Sequence, residues 1–226
     1  MTVSGAQHPR LDDASGQIPA RGVTVMVGPS GSGKSTLLRL CNRLEVPDVG
    51  CVRYDGDDVA TLDPLSLRRR VGMVFQRPTP FPGTVLDNLR VAEPSLTEGE
   101  ALEVLDRVGL DQAFLGRDAR ELSGGEAQRV CLARTLATDP VAVLMDEVTS
   151  SVDPAARRGL EGLASRLAGD GVPIVWVTHD LAQMRRLADH VVIVISGRVR
   201  HCGAVEGLDA EAPADACRFL AGEHAT

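Results

Sequence analysis

Short and almost wholly apolar stretches recur along the chain, and polar or glycine-rich segments bound each of them. These stretches are 23–27, 71–75, 141–145, 173–178 and 191–195. Continuous apolar runs of this length are typical of strands that are buried on both faces, as in a parallel sheet covered by helices. The pattern therefore predicts an α/β domain with a mainly parallel sheet in a three-layer core.

One segment between these strands has a different pattern. Residues 77–83 are rich in proline, which excludes regular structure there. Residues 85–122 then follow a helical period, with apolar positions at Ala101, Leu102, Val104, Leu105 and Val108. We predict a helical insertion in an α/β core, followed by a tail: insertion 77–123, core 11–76 and 124–205, tail 206–226.

The N-terminal region is weakly patterned. Residues 11–15 and 18–19 are candidates for short antiparallel edge strands, and we expect residues 1–10 to be poorly ordered. Residues 51–54 form a further candidate strand, which the Asp55-Gly56 pair would turn into a hairpin.

Composition narrows the classes of function. The 226 residues carry a net charge of −7, which excludes a general basic surface for nucleic acid. Five widely spaced cysteines indicate reduced thiols rather than disulfides or a metal site. Neither a signal peptide nor an apolar run of about 20 residues is present, so we expect a cytoplasmic protein that reaches a membrane only through partners.

A glycine-rich loop carries the clearest chemistry. It fits the G-x-x-x-x-G-K-[ST] pattern of a phosphate-binding loop, with an apolar strand before it and a helix after it. In this pattern backbone N–H groups and the helix N-terminus hold phosphates, Lys34 reaches the β- and γ-phosphates, and Ser35 binds Mg²⁺. Lys34 is the only lysine of the chain. The residues of the loop are Gly28, Pro29, Ser30, Gly31, Ser32, Gly33, Lys34, Ser35 and Thr36.

Further polar residues end two of the apolar strands. Asp146 and Glu147 follow one strand, and His179 follows another. Ligands of open α/β sheets bind at the carboxyl ends of the strands, so these side chains should converge with the phosphate loop. Asp146 would hold Mg²⁺ directly or through water, and Glu147 would meet an attacking water.

A second anion-binding helix end is predicted at residues 122–126. Ser123 is a helix N-cap in the plain structural interpretation, and Gly124, Gly125 and Glu126 begin the helix. The same arrangement can also bind an anion. Leu122–Glu126 and the helix to residue 135 make the chain similar to the ATP-binding cassette (ABC) family of transporter ATPases, over about residues 11–205.

This resemblance implies a role for each motif within one ATP-binding domain over 1–226. Gln76 resembles the glutamine that contacts Mg²⁺ and the attacking water and forms the hinge to the helical subdomain. Asp146 resembles the metal-binding aspartate, Glu147 the catalytic glutamate and His179 the switch histidine. Within 151–153, Asp153 resembles the residue that contacts the opposite subunit.

The resemblance also implies partners and cofactors. Two copies pair head to tail, and ATP with Mg²⁺ lies between Lys34 of one copy and Ser123, Gly124 and Gly125 of the other. Integral-membrane permease subunits would hold the pair at the inner face of the cell membrane, with a solute-binding protein in the case of an importer. No nucleic-acid partner is expected.

Three departures from the family pattern stand out. Val148 follows Glu147 where proline is usual, and Ser151-Val152 stands where Ala-Leu is commoner. No aromatic residue precedes Tyr54 to stack on adenine, and His8 is at best a weak substitute.

The transported substrate and two other classes of function stay open. Residues 71–88 resemble the ATPases of phosphate importers, whereas 145–153 and 175–180 resemble small ATPases paired with metal (iron) exporters. A cassette ATPase acting on DNA or ribosomes would have a coiled coil or tandem cassettes. A phosphate-loop kinase would leave Leu122–Glu126 unexplained.

Overall fold

The computed structural model describes residues 1–5, 9–150 and 152–222. Its strands are β1 (Val23–Val27), β2 (Arg53–Tyr54), β3 (Asp57–Asp58), β4 (Val71–Val74), β5 (Ala142–Asp146), β6 (Ile174–Val177), β7 (His190–Ile195) and β8 (Arg198–Ala204). Its α-helices are α1 (Lys34–Cys41), α2 (Pro64–Arg70), α3 (Val85–Ala92), α4 (Glu98–Arg107), α5 (Gly124–Leu136), α6 (Pro154–Gly169), α7 (Leu181–Leu187), α8 (Leu208–Glu211) and α9 (Ala214–Leu220). Short 3-10 helices cover Gln112–Phe114, Ala119–Glu121 and Val205–Gly207.

Six of these strands form one sheet in the order β4-β5-β6-β1-β7-β8. The first five run parallel, and only β8 is antiparallel to its neighbour β7. The mainly parallel sheet is therefore confirmed. The apolar pattern predicts no strand after residue 195 and therefore misses β8, because this half-exposed edge strand has no apolar run.

Side chains of the central strands alternate between two apolar layers. Val23, Val25 and Val27 of β1 belong to one apolar layer together with residues of α3 to α9. Met26 packs on the other face with apolar residues of α1 and α2. Helices thus cover both faces of the sheet, and the predicted three-layer α/β architecture is confirmed.

In the helical segment after β4, the α-helices α3 and α4 each begin with a capping box. Thr84 caps α3 with Asp87, and Thr97 caps α4 with Glu100. In both pairs each side chain accepts a hydrogen bond from the other residue's backbone N–H, which satisfies groups that the helix leaves free. The predicted helical character of 85–122 is confirmed, while the division of the chain at 77–123 stays a prediction.

The N-terminal segment is more ordered than the sequence suggests. Among residues 1–5 and 9–22, antiparallel pairing is limited to single bridges of Thr2 with Val49 and of Val3 with Leu11. The candidate strand at 18–19 is irregular. The expected disorder of residues 1–10 is wrong for the described ones, since Val3 is 3% exposed and packs beside fully buried Leu11.

Leu11→Ala tests whether this segment belongs to the core. Leaving a cavity at a fully buried leucine should lower the free energy of unfolding by about 2–5 kcal/mol, measured by denaturant titration. The matched control is Ile18→Ala, whose parent side chain is 38% exposed, and its effect should stay within about 0.5 kcal/mol. Equal losses for the two variants would show that the segment is not part of the core.

Candidate functional site

The sheet order brings the predicted site residues to one edge. Gln76 follows β4, Asp146 ends β5, His179 follows β6 and the loop 28–33 follows β1. All four strands are parallel, so their carboxyl ends lie side by side. This edge is where an open α/β sheet binds its ligand.

Lys34 is folded back over the phosphate loop. Its Nζ donates to the carbonyl oxygens of Gly28 and Pro29, each at 2.9 Å, and the residue is only 4% exposed. Burial lowers the pKa of Lys34, and the nearby charges of Glu147 and Asp146 oppose that shift. The ammonium is therefore held in a place where added negative charge would be favourable.

Two other segments contact the rest of the loop, namely the turn between β7 and β8 and the N-terminal segment. The Gly197 N–H, in the turn between β7 and β8, donates to the Ser32 carbonyl at 3.0 Å. Gly33 has φ 102°, and a Cβ there would lie 2.5 Å from the Arg10 carbonyl oxygen. The N-terminal segment thus lies directly against the loop. No pattern in the sequence predicts this contact. The Ser32 hydroxyl is buried without a hydrogen-bond partner among the described residues, which fits a loop built to hold a further polar group.

Ser35 and Asp146 meet across the sheet edge. The Ser35 hydroxyl donates to Asp146 Oδ1 at 2.7 Å, although 111 positions separate the two residues. The Asp146 side chain is 6% exposed, and its other oxygen lies 3.6 Å from Arg39 Nη2. A hydroxyl beside a carboxylate is an all-oxygen donor set, which suits Mg²⁺.

Glu147 lies next to two polar side chains, those of Gln76 and His179. Its Oε2 lies 3.4 Å from Gln76 Nε2 and 3.6 Å from His179 Nδ1, and Gln76 also donates to Ser150 Oγ at 3.2 Å. Glu147 has φ 46°, a left-handed conformation that is rare for a residue with a side chain. Such local strain is found at functional sites, where the surrounding structure holds it. Ser150 was not foreseen.

The 123–126 segment has the predicted cap structure. Ser123 accepts from the Glu126 N–H, and the Glu126 carboxylate accepts from the Ser123 N–H at 2.7 Å. These hydrogen bonds lower the pKa of Glu126, as does the charge of Arg117 at 3.4 Å. Gly125 lies against α6, since a Cβ there would be 3.0 Å from Ala156 Cβ.

The 123–126 segment and the phosphate loop of the same chain are not bonded to each other in the described structure. In the part of the chain that the structure describes, no hydrogen bond or ion pair links residues 123–126 to residues 28–36. Of the two helix ends predicted to bind phosphate, the one at α1 is bonded to Asp146 through Ser35.

Asp153 caps α6 in this structure. Its Oδ1 accepts from the N–H groups of Ala155 and Ala156 at 2.9 and 3.0 Å, and these hydrogen bonds lower its pKa. Its predicted neighbour in the motif, Ser151, lies outside the described residues, and so does His8. The Tyr54 ring packs with Arg70, whose Cζ is 5.0 Å from the ring centroid.

A buried polar network that the sequence did not reveal supports the loop after β5. Gln183 Nε2 donates to Thr149 Oγ1 at 3.1 Å and to Glu161 Oε1 at 2.8 Å. The indole of Trp176, the only tryptophan, donates to Gln183 Oε1 at 3.2 Å. The network ties the loop that carries Glu147 to β6, α6 and α7. These residues sit at no motif spacing, so only the fold could identify them.

The phosphate loop after β1, the carboxylate that ends β5 and the intervening strand β6 together define a P-loop NTPase. No helix among the described residues combines the length and apolar character needed to cross a bilayer.

Comparison with known families narrows this class. The family model described as ABC transporter matches residues 11–150, more than half of the chain. The chain is 42% identical over 228 residues to the methionine import ATP-binding protein MetN of Caulobacter vibrioides, covering 96% of this chain and 68% of MetN. It is 38% identical over 240 residues to the phosphate import ATP-binding protein PstB 2 of Mycobacterium tuberculosis, covering 98% of this chain and 86% of PstB 2. The chain therefore belongs to the ABC transporter family, and it is an ATP-binding ATPase subunit of that family.

Two more comparisons bear on the extent of the match. Protein STAR1 of Oryza sativa subsp. japonica is 48% identical over 185 residues, a match that covers 79% of this chain and about half, 54%, of STAR1. The solved structure of cbiO1 from Clostridium perfringens, part of the cbiONQ ABC transporter complex, superposes with a TM-score of 0.81. That superposition has 26% identity and covers 93% of this chain and 88% of cbiO1.

Proposed function

We propose that this chain hydrolyses ATP with Mg²⁺ at the sheet edge and so drives transport through membrane subunits. The observation that carries the proposal is the 2.7 Å contact of Ser35 with Asp146, next to buried Lys34. The loop N–H groups and the Lys34 ammonium would hold the triphosphate, because this buried ammonium lies at the loop and donates to the carbonyl oxygens of Gly28 and Pro29.

Ser35 and Asp146 would hold Mg²⁺, and Gln76 would contribute a further oxygen. When bound, Mg²⁺ neutralises negative charge that builds up on the β- and γ-phosphates. The chain's own contribution is to place these oxygen ligands before ATP arrives, through the parallel register of β5, β6 and β1.

Glu147 would accept the proton of the attacking water. Its carboxylate lies one residue beyond Asp146 and is directed by the left-handed backbone toward Gln76 and His179. His179 would contact the γ-phosphate, since its side chain is 65% exposed at the open edge of the site. Gln76 would orient the water and move with the helical segment that follows it.

A second copy would complete the site. Ser123, Gly124, Gly125 and Glu126 begin a helix of suitable polarity, yet among the residues described no hydrogen bond or ion pair joins them to the loop of their own chain. In a head-to-tail pair this helix end would hold the γ-phosphate bound to Lys34 of the partner copy. Asp153 would then lie at the contact between the copies.

We propose phosphate import as the transport that this ATPase drives. The resemblance of residues 71–88 and the match to PstB 2 over 98% of the chain support this assignment, whereas the MetN match favours an importer of another solute. The ATPase would sit at the cytoplasmic face through permease subunits, with a solute-binding protein outside. Metal (iron) export is the alternative that residues 145–153 and 175–180 suggest.

The cargo assignment can be tested in the source cells. Affinity purification of the tagged chain from membranes should recover multi-span subunits, and deleting its gene should reduce uptake of radiolabelled phosphate. Unchanged phosphate uptake together with a loss of methionine uptake or of iron export would overturn phosphate while leaving the ATPase assignment in place.

Glu147→Gln tests the assigned chemistry. Loss of a general base should slow phosphate release by roughly 10²–10⁴-fold, while binding of a fluorescent ATP analogue stays within about twofold of the parent chain. Phosphate release is measured with the membrane subunits present.

Glu98→Gln is the matched control, because Glu98 lies in the exposed first turn of α4. It should retain the parent rate. Parent-like turnover by Glu147→Gln would rule out Glu147 as the base.

A further inference from the structure

Arg39 lies next to Asp146, one of the proposed metal ligands. It is four residues after Ser35 in α1, so both side chains project from the same side of the helix. The Ser35 hydroxyl donates a hydrogen bond to one carboxylate oxygen of Asp146, and Arg39 lies 3.6 Å from the other oxygen. A bound cation and the Arg39 guanidinium would therefore act on the same carboxylate.

A second carboxylate shares Arg39. Glu45 Oε1 lies 3.5 Å from Arg39 Nη1, and the Glu45 side chain is 17% exposed. The backbone holds residue 45 close to residue 39, because the N–H groups of Leu44 and Glu45 both donate to the Arg39 carbonyl, at 2.9 and 3.2 Å. Arg10 of the N-terminal segment lies 2.7 Å from the other Glu45 oxygen.

These contacts form a chain of alternating charge from Arg10 through Glu45 and Arg39 to Asp146. Positive charge near Asp146 reduces its attraction for a divalent cation. Negative charge at Glu45 draws Arg39 in the opposite direction, away from Asp146. The affinity of the metal site for a divalent cation would thus depend on whether the Arg39 guanidinium lies closer to Asp146 or to Glu45.

We propose that Arg39 is a positioning residue that sets the divalent-cation affinity of the Ser35–Asp146 pair, with Glu45 as the group that opposes it. The inference rests on the proposed function, because it concerns the same metal site. Arg39 keeps Asp146 partly neutralised without nucleotide, so the cation binds well only with the added negative charge of the triphosphate. Removing the arginine and removing Glu45's charge then shift cation affinity in opposite directions.

Manganese binding measures this effect without relying on activity. The full chain carrying Glu147→Gln is mixed with ATP in slight molar deficit and titrated with Mn²⁺, and electron paramagnetic resonance reports the free ion. Adding Arg39→Gln should lower the Mn²⁺ midpoint by about two- to fivefold, and adding Glu45→Gln should raise it by a similar factor, the scale of a partly exposed ion pair. Arg39→Lys keeps the charge and should stay near the parent.

Arg53→Gln is the control for general charge, since Arg53 bonds the Gly56 carbonyl in the β2–β3 hairpin. It should leave the midpoint unchanged. An unchanged or raised midpoint in Arg39→Gln, or shifts of Arg39→Gln and Glu45→Gln in the same direction, would overturn the inference. Mn²⁺ binding in the Glu147→Gln parent that is no tighter than binding by the same amount of ATP without the chain would instead overturn the metal site of the proposed function.

Discussion

The hydrogen bond between Ser35 and Asp146 depends on the whole sheet. Ser35 belongs to the helix after β1 and Asp146 ends β5, and strand β6 lies between those two strands. Only a parallel register of all three strands brings both residues to the same edge at the same height. The apolar layers on the two faces keep that register, because a slip of one residue would expose the core side chains.

Opposite charges lie close together at the carboxyl ends of the parallel strands, where the side chains that carry them are partly or fully buried. Lys34, Asp146 and Glu147 lie near one another, and burial lowers the pKa of the lysine while the two carboxylates oppose this. Contacts within the chain satisfy two of these groups: loop carbonyls accept from Lys34, and Ser35 and Arg39 lie against Asp146. Under our proposal, ATP and its cation would replace these internal contacts.

Some strands and site residues could be predicted from the sequence, and others could not. The apolar runs predicted β1, β4, β5, β6 and β7, since buried parallel strands have a continuous pattern that is easy to read. The polar edge strand β8 and the buried N-terminal segment around Leu11 lack such a pattern. Motif spacing also identified Lys34, Asp146 and Glu147, but not Arg39, Glu45 or Gln183, whose roles depend on contacts between distant parts of the chain. Only coordinates show such contacts.

The central claim is that each chain carries two separate parts of a shared nucleotide site. The most direct test mixes Lys34→Ala with Ser123→Arg copies in the presence of the membrane subunits and measures ATP hydrolysis. Each variant alone should be almost inactive. A mixed pair has one intact site, formed by Lys34 of one copy and Ser123 of the other, so random mixing should restore roughly a quarter of the parent activity. Activity no higher than the sum of the separate variants would contradict the shared site.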